Sequence, residues 1–123
     1  MSPSYRFLKV EHLRRPSDFQ RVYDRRRSAS DEWLLVYACE NGLPHLRLGC
    51  SVSRKVGGAV RRNRLRRLYR EAFRLTKHAL PPGLDLVLIP RQADDPELEI
   101  LKSSLTRLVG QLAAKLARKA EAP

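Results

Sequence analysis

The chain has 123 residues, the size of one ordinary domain, and 42% of them are hydrophobic, enough to build a core and too many for wholesale disorder. Twenty-five Lys and Arg stand against thirteen Asp and Glu, a net charge of +12 that makes a small domain repel itself unless a polyanion is near. Nucleic acid is the expected partner; no apolar run approaches the roughly 18 residues that cross a bilayer, so a membrane partner is not expected.

Met1 to Lys9 reads as a basic arm without the apolar centre of a signal peptide, which points to a cytoplasmic protein. The first helix signal is Ser17-Asp18-Phe19-Gln20, a capping-box pattern with Pro16 just before it. Phe19, Val22 and Tyr23 follow at helical spacing, and Arg25-Arg26-Arg27 closes the helix with cations at the negative end of its dipole. Trp33 to Cys39 is an apolar run of strand length, and Asn41-Gly42 is a turn signal. His45 to Ser53 alternates, with Leu46, Leu48, Cys50 and Val52 on one face. A hairpin joining these two strands is the simplest expectation. A long helix is expected over about Ala59 to Leu80, with Leu65, Leu68, Ala72 and Leu75 as its apolar stripe, ended by Pro81-Pro82-Gly83. Leu84 to Ile89 reads as a buried strand. Asp95-Pro96-Glu97 opens the last helix, with Asp95 as N-cap and Pro96 in the first helical position. Leu98, Leu101, Leu105, Leu108, Leu112 and Leu116 keep that helix amphipathic. The order predicts an α+β protein, a two-layer sandwich of helices on a small sheet, in one domain over residues 1–123 with flexible ends at 1–12 and 119–123. The strands flanking the long helix could be parallel neighbours, which would make that helix a crossover.

The stretch Arg54 to Lys77 holds ten basic residues, and only Glu71 opposes them. On a helical wheel Arg64, Arg66, Arg67, Arg70, Arg74 and Lys77 lie opposite the leucine stripe. A solvated helix face usually mixes signs, because i,i+4 pairs stabilise it. Moreover, Arg61, Arg62 and Arg64 crowd the helix N-terminus, where each cation is disfavoured by about 0.3–1 kcal/mol. The last helix keeps the opposite rule, with Asp95, Glu97 and Glu99 first and Lys115, Arg118 and Lys119 last. A local rule broken at one place marks a candidate functional site, and helix amides beside guanidiniums suit phosphate oxygens.

The block from Gly49 to Arg74, GCSVSRKVGGAVRRNRLRRLYREAFR, closely resembles the signature of the bacterial ribonuclease P protein family, with Arg62-Asn63-Arg64 as its RNR core. The resemblance extends to Leu13-Arg14, to Asp18-Phe19-Gln20-Arg21-Val22-Tyr23 and through the last strand and helix. It implies an αβββαβα fold with four strands, a short one near Ser28 to Glu32, and a left-handed crossover through the basic helix. It implies that a large RNA performs the catalysis and holds the Mg²⁺ ions, none being bound by the protein alone. The implied substrate is precursor tRNA, from which the 5′ leader is removed. Carried over by position, Arg54, Lys55, Arg61, Arg62, Asn63, Arg64 and Arg67 would face the catalytic RNA. Phe19, Tyr23, Leu35, Tyr37, Ser51, Arg66 and Arg70 would take the single-stranded leader; core packing is the competing role for the three rings. The family commonly has Gly where this chain has Arg26, which puts the turn after the first helix in question.

No side chains suggest a protein active site or a small-molecule substrate. His12, His45 and His78 are scattered, Ser51 and Ser53 have no local base, and Asp85 stands alone in an apolar strand, where it reads as an exposed or hydrogen-bonded group near a turn. Cys39 and Cys50 lack metal spacing and read as small core residues, Phe73 reads as core, and Trp33 suggests no role. Two other classes share this composition. A ribosomal-type protein would bind ribosomal RNA with no processing role. A DNA-binding repressor would need a second short helix before the long one, and the sequence offers none.

Overall fold

The computed structural model describes residues 6–92 and 94–121, with side chains through Arg118. Its elements are α1 (Pro16–Asp24), β1 (Ser28–Ser30), β2 (Leu34–Glu40), β3 (Arg47–Cys50), α2 (Ala59–Thr76), β4 (Leu84–Pro90) and α3 (Leu98–Glu121), an αβββαβα order. The four strands lie in the order β1-β2-β4-β3. β2 runs antiparallel to both β1 and β4, while β3 and β4 are parallel and joined through α2.

The expected hairpin between β2 and β3 is not formed, because β4 lies between them. Asn41-Gly42 still turns the chain, but the Asn41 side chain serves tertiary contacts, donating to the His45 carbonyl at 3.1 Å and to Asp85 at 3.0 Å. The hairpin of this sheet is instead β1–β2, pinned by Asp31, whose carboxylate accepts the Trp33 and Leu34 amides at 2.9 Å each. That turn also gives Trp33 a place, half-buried against the core.

Alternation gives the sheet two unlike faces. Leu34, Val36, Ala38, Leu48, Leu86 and Leu88 point to one side, where α2 and α3 close a large dry core. From α3 come Leu101, Leu105, Leu108, Leu112 and Leu116, as the sequence stripe requires. α2 is rotated from expectation: Leu65, Tyr69, Ala72, Phe73 and Thr76 are buried, while Leu68 and Leu75 are only half-buried. Two full-sized rings at Tyr69 and Phe73 fill the space that the leucine stripe was expected to fill. On the other face α1 packs alone, around Leu13, Val22, Cys39 and Val87.

Several local expectations change at element ends. α1 begins at Pro16 with Arg15 as N-cap, so Pro16 holds the first helical position and Ser17 caps nothing. α3 begins at Leu98, with the Glu97 carbonyl accepting the Leu101 amide; Asp95 is drawn away as an ion-pair partner of α2. α2 ends at Thr76, and a 3₁₀ turn over Lys77–Ala79 completes the predicted span. Arg26 follows α1 at φ 54°, the left-handed conformation that Gly takes freely and that costs an L side chain about 1–2 kcal/mol.

Residues 6–12 of the expected loose arm are seated on the protein. Phe7 packs on Phe73, with ring centres 5.3 Å apart, and Leu13 donates its amide to the Leu48 carbonyl at 2.9 Å. The buried Glu11 carboxylate accepts two hydrogen bonds from Lys77 Nζ, at 2.8 and 3.1 Å. Lys77 is therefore removed from the cationic face to which the helical wheel assigned it. Residues 1–5 and 122–123 lie outside the described residues, and α3 runs through Glu121.

Candidate RNA interface

The N-terminal turn of α2 has Gly58 as N-cap, no side-chain cap and no acid of its own. Its first amides have no intrahelical partner, as in any helix. Asp95 supplies the missing anion from the loop before α3, standing 3.2 Å from Arg61 and 3.8 Å from Arg64. Arg61 and Arg64 are thus partly compensated. Arg62 has no ion pair among the described residues, and the enclosed Nε atoms of both Arg61 and Arg62 lack a hydrogen-bond partner. Asn63 and Arg64 are exposed, as are Arg54 and Lys55 in the preceding turn. Arg74 is tied to Glu71 within its own helix.

Farther along α2, Arg66 donates to the Asn63 side-chain Oδ1 at 3.1 Å and lies near the Val52 carbonyl. A hollow of about 660 Å³ lies between α2 and the N-terminal segment, lined in part by Phe7, His12, Arg66, Arg67 and Arg70. A second hollow of about 400 Å³ shares His12, Arg66 and Arg70 and reaches Phe19, Gly49 and Cys50. The two form a basic channel from α2 to the α1 side of the sheet. Arg67 lines only the first, and Lys55 and Arg54 line neither. Phe7 and His12 were not anticipated as part of this surface. Their one sequence signal was an aromatic residue and a His within a basic segment. Burial pushes the His12 pKa down, and the Arg14 and Arg70 charges add to the effect, so its ring is neutral near pH 7.

The channel opens onto a strip of rings. Phe19 lies directly over Gly49, where a Cβ would stand 2.5 Å from the ring; only glycine lets this helix and strand approach so closely. Tyr23 meets Tyr37 edge-to-face, with centres 5.2 Å apart. Leu35 and Ile89 are register partners farther along the same sheet face, both half-buried. Ser51 continues β3 beside them, its amide donating to the Leu88 carbonyl at 2.9 Å. Phe19, Tyr23, Leu35, Tyr37 and Ser51 are thus brought to one open face, with Arg66 and Arg70 at one end. Phe73 lies on the other side of the sheet, in the core.

What fixes α1 over this face is a network that sequence reasoning did not find. Asp85, fully buried on β4, receives Arg47 through two hydrogen bonds of 2.7 and 2.6 Å, Asn41 and the Arg21 guanidinium. Arg21 also donates to the Glu40 carbonyl at 3.0 Å, and Arg25 grips the Glu40 carboxylate at 3.0 and 3.1 Å. Burial by itself would raise the Asp85 carboxyl; the hydrogen bonds from Arg47, Asn41 and Arg21 and the Arg47 charge outweigh it and hold the pKa below the usual range. Asp85 is therefore the hydrogen-bonded group that was expected, but not an exposed one.

The cysteines carry no reactive character. Cys39 is buried and Cys50 half-buried, both are free, and burial raises both thiols, Cys50 to about 11. Among the described residues no three His, Cys, Asp or Glu are grouped to hold a metal ion, and no helix is long and apolar enough to cross a membrane.

A basic channel leading to half-buried rings on the open face of the sheet defines the class: an RNA-binding protein of mixed α and β structure. The Ribonuclease P family pattern matches residues 7–113. The chain is 38% identical over 105 residues to the ribonuclease P protein component of Clostridioides difficile, covering 84% of this chain and 92% of that protein. It is 42% identical over 93 residues to the one from Thermotoga maritima, covering 76% and 80%. Among solved structures, the RNase P protein from Thermotoga maritima superposes with a TM-score of 0.74 at 35% identity, over 82% of this chain and 96% of that one. The protein from Staphylococcus aureus gives 0.71 at 36%, over 85% and 96%. The chain belongs to the ribonuclease P protein component family, and its activity is exercised as part of that ribonucleoprotein.

Proposed function

We propose that this chain works in the cytoplasm as the subunit that joins the catalytic RNA of ribonuclease P to the 5′ leader of precursor tRNA. Arg54, Lys55, Arg61, Arg62, Asn63, Arg64 and Arg67 meet phosphates of the catalytic RNA. Phe19, Tyr23, Leu35, Tyr37, Ser51, Arg66 and Arg70 receive the leader. The observation that carries this reading is the continuity of the Arg66–Arg70 channel with the ring strip. Unstacked bases need flat apolar platforms, and their backbone needs cations alongside. A precursor tRNA offers such a strand in its leader, and mature tRNA does not. Bond cleavage and the Mg²⁺ ions that assist it are assigned to the catalytic RNA, as the family resemblance implies.

The N-terminal end of α2 supplies the other half of the reading. Arg62 has no ion pair among the described residues, so its charge at the helix end is left for a phosphate of a docked RNA to neutralise. The test is assembly with a ribonuclease P RNA. Replacing Arg62→Ala with Arg64→Ala is expected to weaken assembly while leaving the circular dichroism spectrum unchanged. Contacts with about 4–8 phosphates also give a log–log salt slope of roughly −3 to −7 for the wild-type protein. Unchanged assembly by the folded double variant, or a slope near zero, rejects the reading.

A further inference from the structure

We infer that the β1 edge of the sheet carries a second polyanion site, which takes the phosphates of single-stranded RNA as it leaves the ring-lined groove. The inference rests on the leader reading above. α1 crosses the open face from β3, where Phe19 covers Gly49, to β2, where Tyr23 meets Tyr37. Tyr37 is the register partner of Ser28, the first residue of β1, and the Arg26 amide donates to the Tyr23 carbonyl. The strip of rings therefore ends at Arg26, Arg27 and Ser28.

At this edge lies a hollow of about 490 Å³ lined by Arg26, Arg27, Ser28, Lys115 and Arg118, four cations and no acid. Lys115 Nζ donates to the Ser28 carbonyl at 3.0 Å and so ties α3 to β1. Arg26 and Arg118 make no side-chain hydrogen bond or ion pair with the described residues. The carboxylate that senses Arg27 is Glu40, which Arg25 already holds.

Helix-end electrostatics explains part of this cluster. Lys115 and Arg118 stand near the C-terminus of α3, where cations offset the dipole, and Arg25 and Arg27 do the same for α1. It does not explain Arg26. A strained Arg stands where Gly would be relaxed, beside three more cations that it repels. That is a local conflict without local gain, the mark of a site selected for a ligand. The ligand's position follows from the sheet. β1 and β3 are its two edges. With α2 docked on the catalytic RNA near β3, the cleaved bond lies on that side, and the distal leader must depart over β1. Recognition there is by backbone charge, so it depends on leader length and not on leader sequence.

The experiment uses the reconstituted holoenzyme with precursor tRNAs whose leaders have about 4 or about 16 nucleotides, the range one single-strand surface covers. The wild-type protein is expected to bind the long leader more tightly than the short one. Arg26→Gly with Arg118→Gln removes that advantage, a loss on the order of tenfold. On the long leader it also makes the salt slope shallower by about 1.4, two single-strand phosphate contacts. Binding of the short leader stays as in the wild type. Arg27→Gln with Arg118→Gln repeats the test without altering the turn. A retained long-over-short ratio overturns the site, and so does an equal loss on every RNA. If the wild-type protein prefers leader-bearing to mature tRNA but ignores leader length, the groove reading stands and the second site falls. If it ignores the leader altogether, both fall.

Discussion

On the α2–α3 side of the sheet, Leu34, Val36, Ala38, Leu86 and Leu88 are inaccessible and meet the equally buried Leu105, Leu108, Phe73 and Tyr69. On the α1 side the buried apolar cluster is Leu13, Val22, Cys39 and Val87, and Phe19, Tyr23, Tyr37 and Ile89 stay half-exposed around it. Both faces are built from the same four strands. One is closed by two long helices and is filled with aliphatic side chains and the buried rings of Tyr69 and Phe73. The other is covered by a nine-residue helix, held at one end by a buried carboxylate and left open at the other. Side chains that lose all contact with water serve the fold. Rings that keep part of theirs can exchange that water for a ligand, and the α1 face gathers three such rings, Phe19, Tyr23 and Tyr37, around one cluster.

The comparison breaks first on stability. Phe73→Ala removes a fully buried ring from the closed face and is expected to cost about 3–5 kcal/mol, read as a lower midpoint in urea or thermal melts. An intermediate case sharpens it. Gly49→Ala places a methyl group against Phe19, which must shift; about 1–3 kcal/mol of stability is lost, and leader-dependent binding falls with it. Should Gly49→Ala leave precursor binding intact, Phe19 is not a platform for the leader. The smallest effect on stability belongs to Tyr37→Ala, because its ring is only half-buried. There the change appears in binding: about 1–3 kcal/mol lost with precursor tRNA and none with mature tRNA. A Tyr37→Ala variant that melts like Phe73→Ala would place Tyr37 with the core.

The features legible in the sequence were those set by local pattern. The helices and longer strands, the basic face of α2 and the leucine stripe of α3 follow from periodicity, while β1 and the αβββαβα order come from the family signature carried by Gly49–Arg74. What escaped was set by partners far along the chain. Asn41-Gly42 signals a turn, but it cannot show that β4, over forty residues later, takes the place beside β2. A helical wheel puts Lys77 on the cationic face because it cannot see Glu11. Asp95 reads as an N-cap until Arg61 and Arg64 are seen to hold it. Asp85 looked isolated in an apolar strand, and its three partners come from α1, β3 and the loop after β2. For the site, the ring positions were legible by resemblance, but the Phe7–His12 wall of the channel was not.

The strand order has a consequence for how the chain is made. β4 occupies the middle of the sheet with β2 and β3 as neighbours, yet it is the last strand to be synthesised. Until Leu84–Pro90 leaves the ribosome, β2 can pair only with β1, and β3 has no partner strand. Sheet assembly must wait for sequence-distant contacts, a topology that folds more slowly than one built from local pairings. α2 eases the delay. An 18-residue helix spans about 27 Å as a stiff rod, so the segment that must close between β3 and β4 has far fewer conformations to lose than a flexible one of equal length. Helix formation takes about a microsecond or less, and it can precede the sheet. The segment that presents RNA-binding arginines in the finished protein thus also serves as the splint on which its last strand is set.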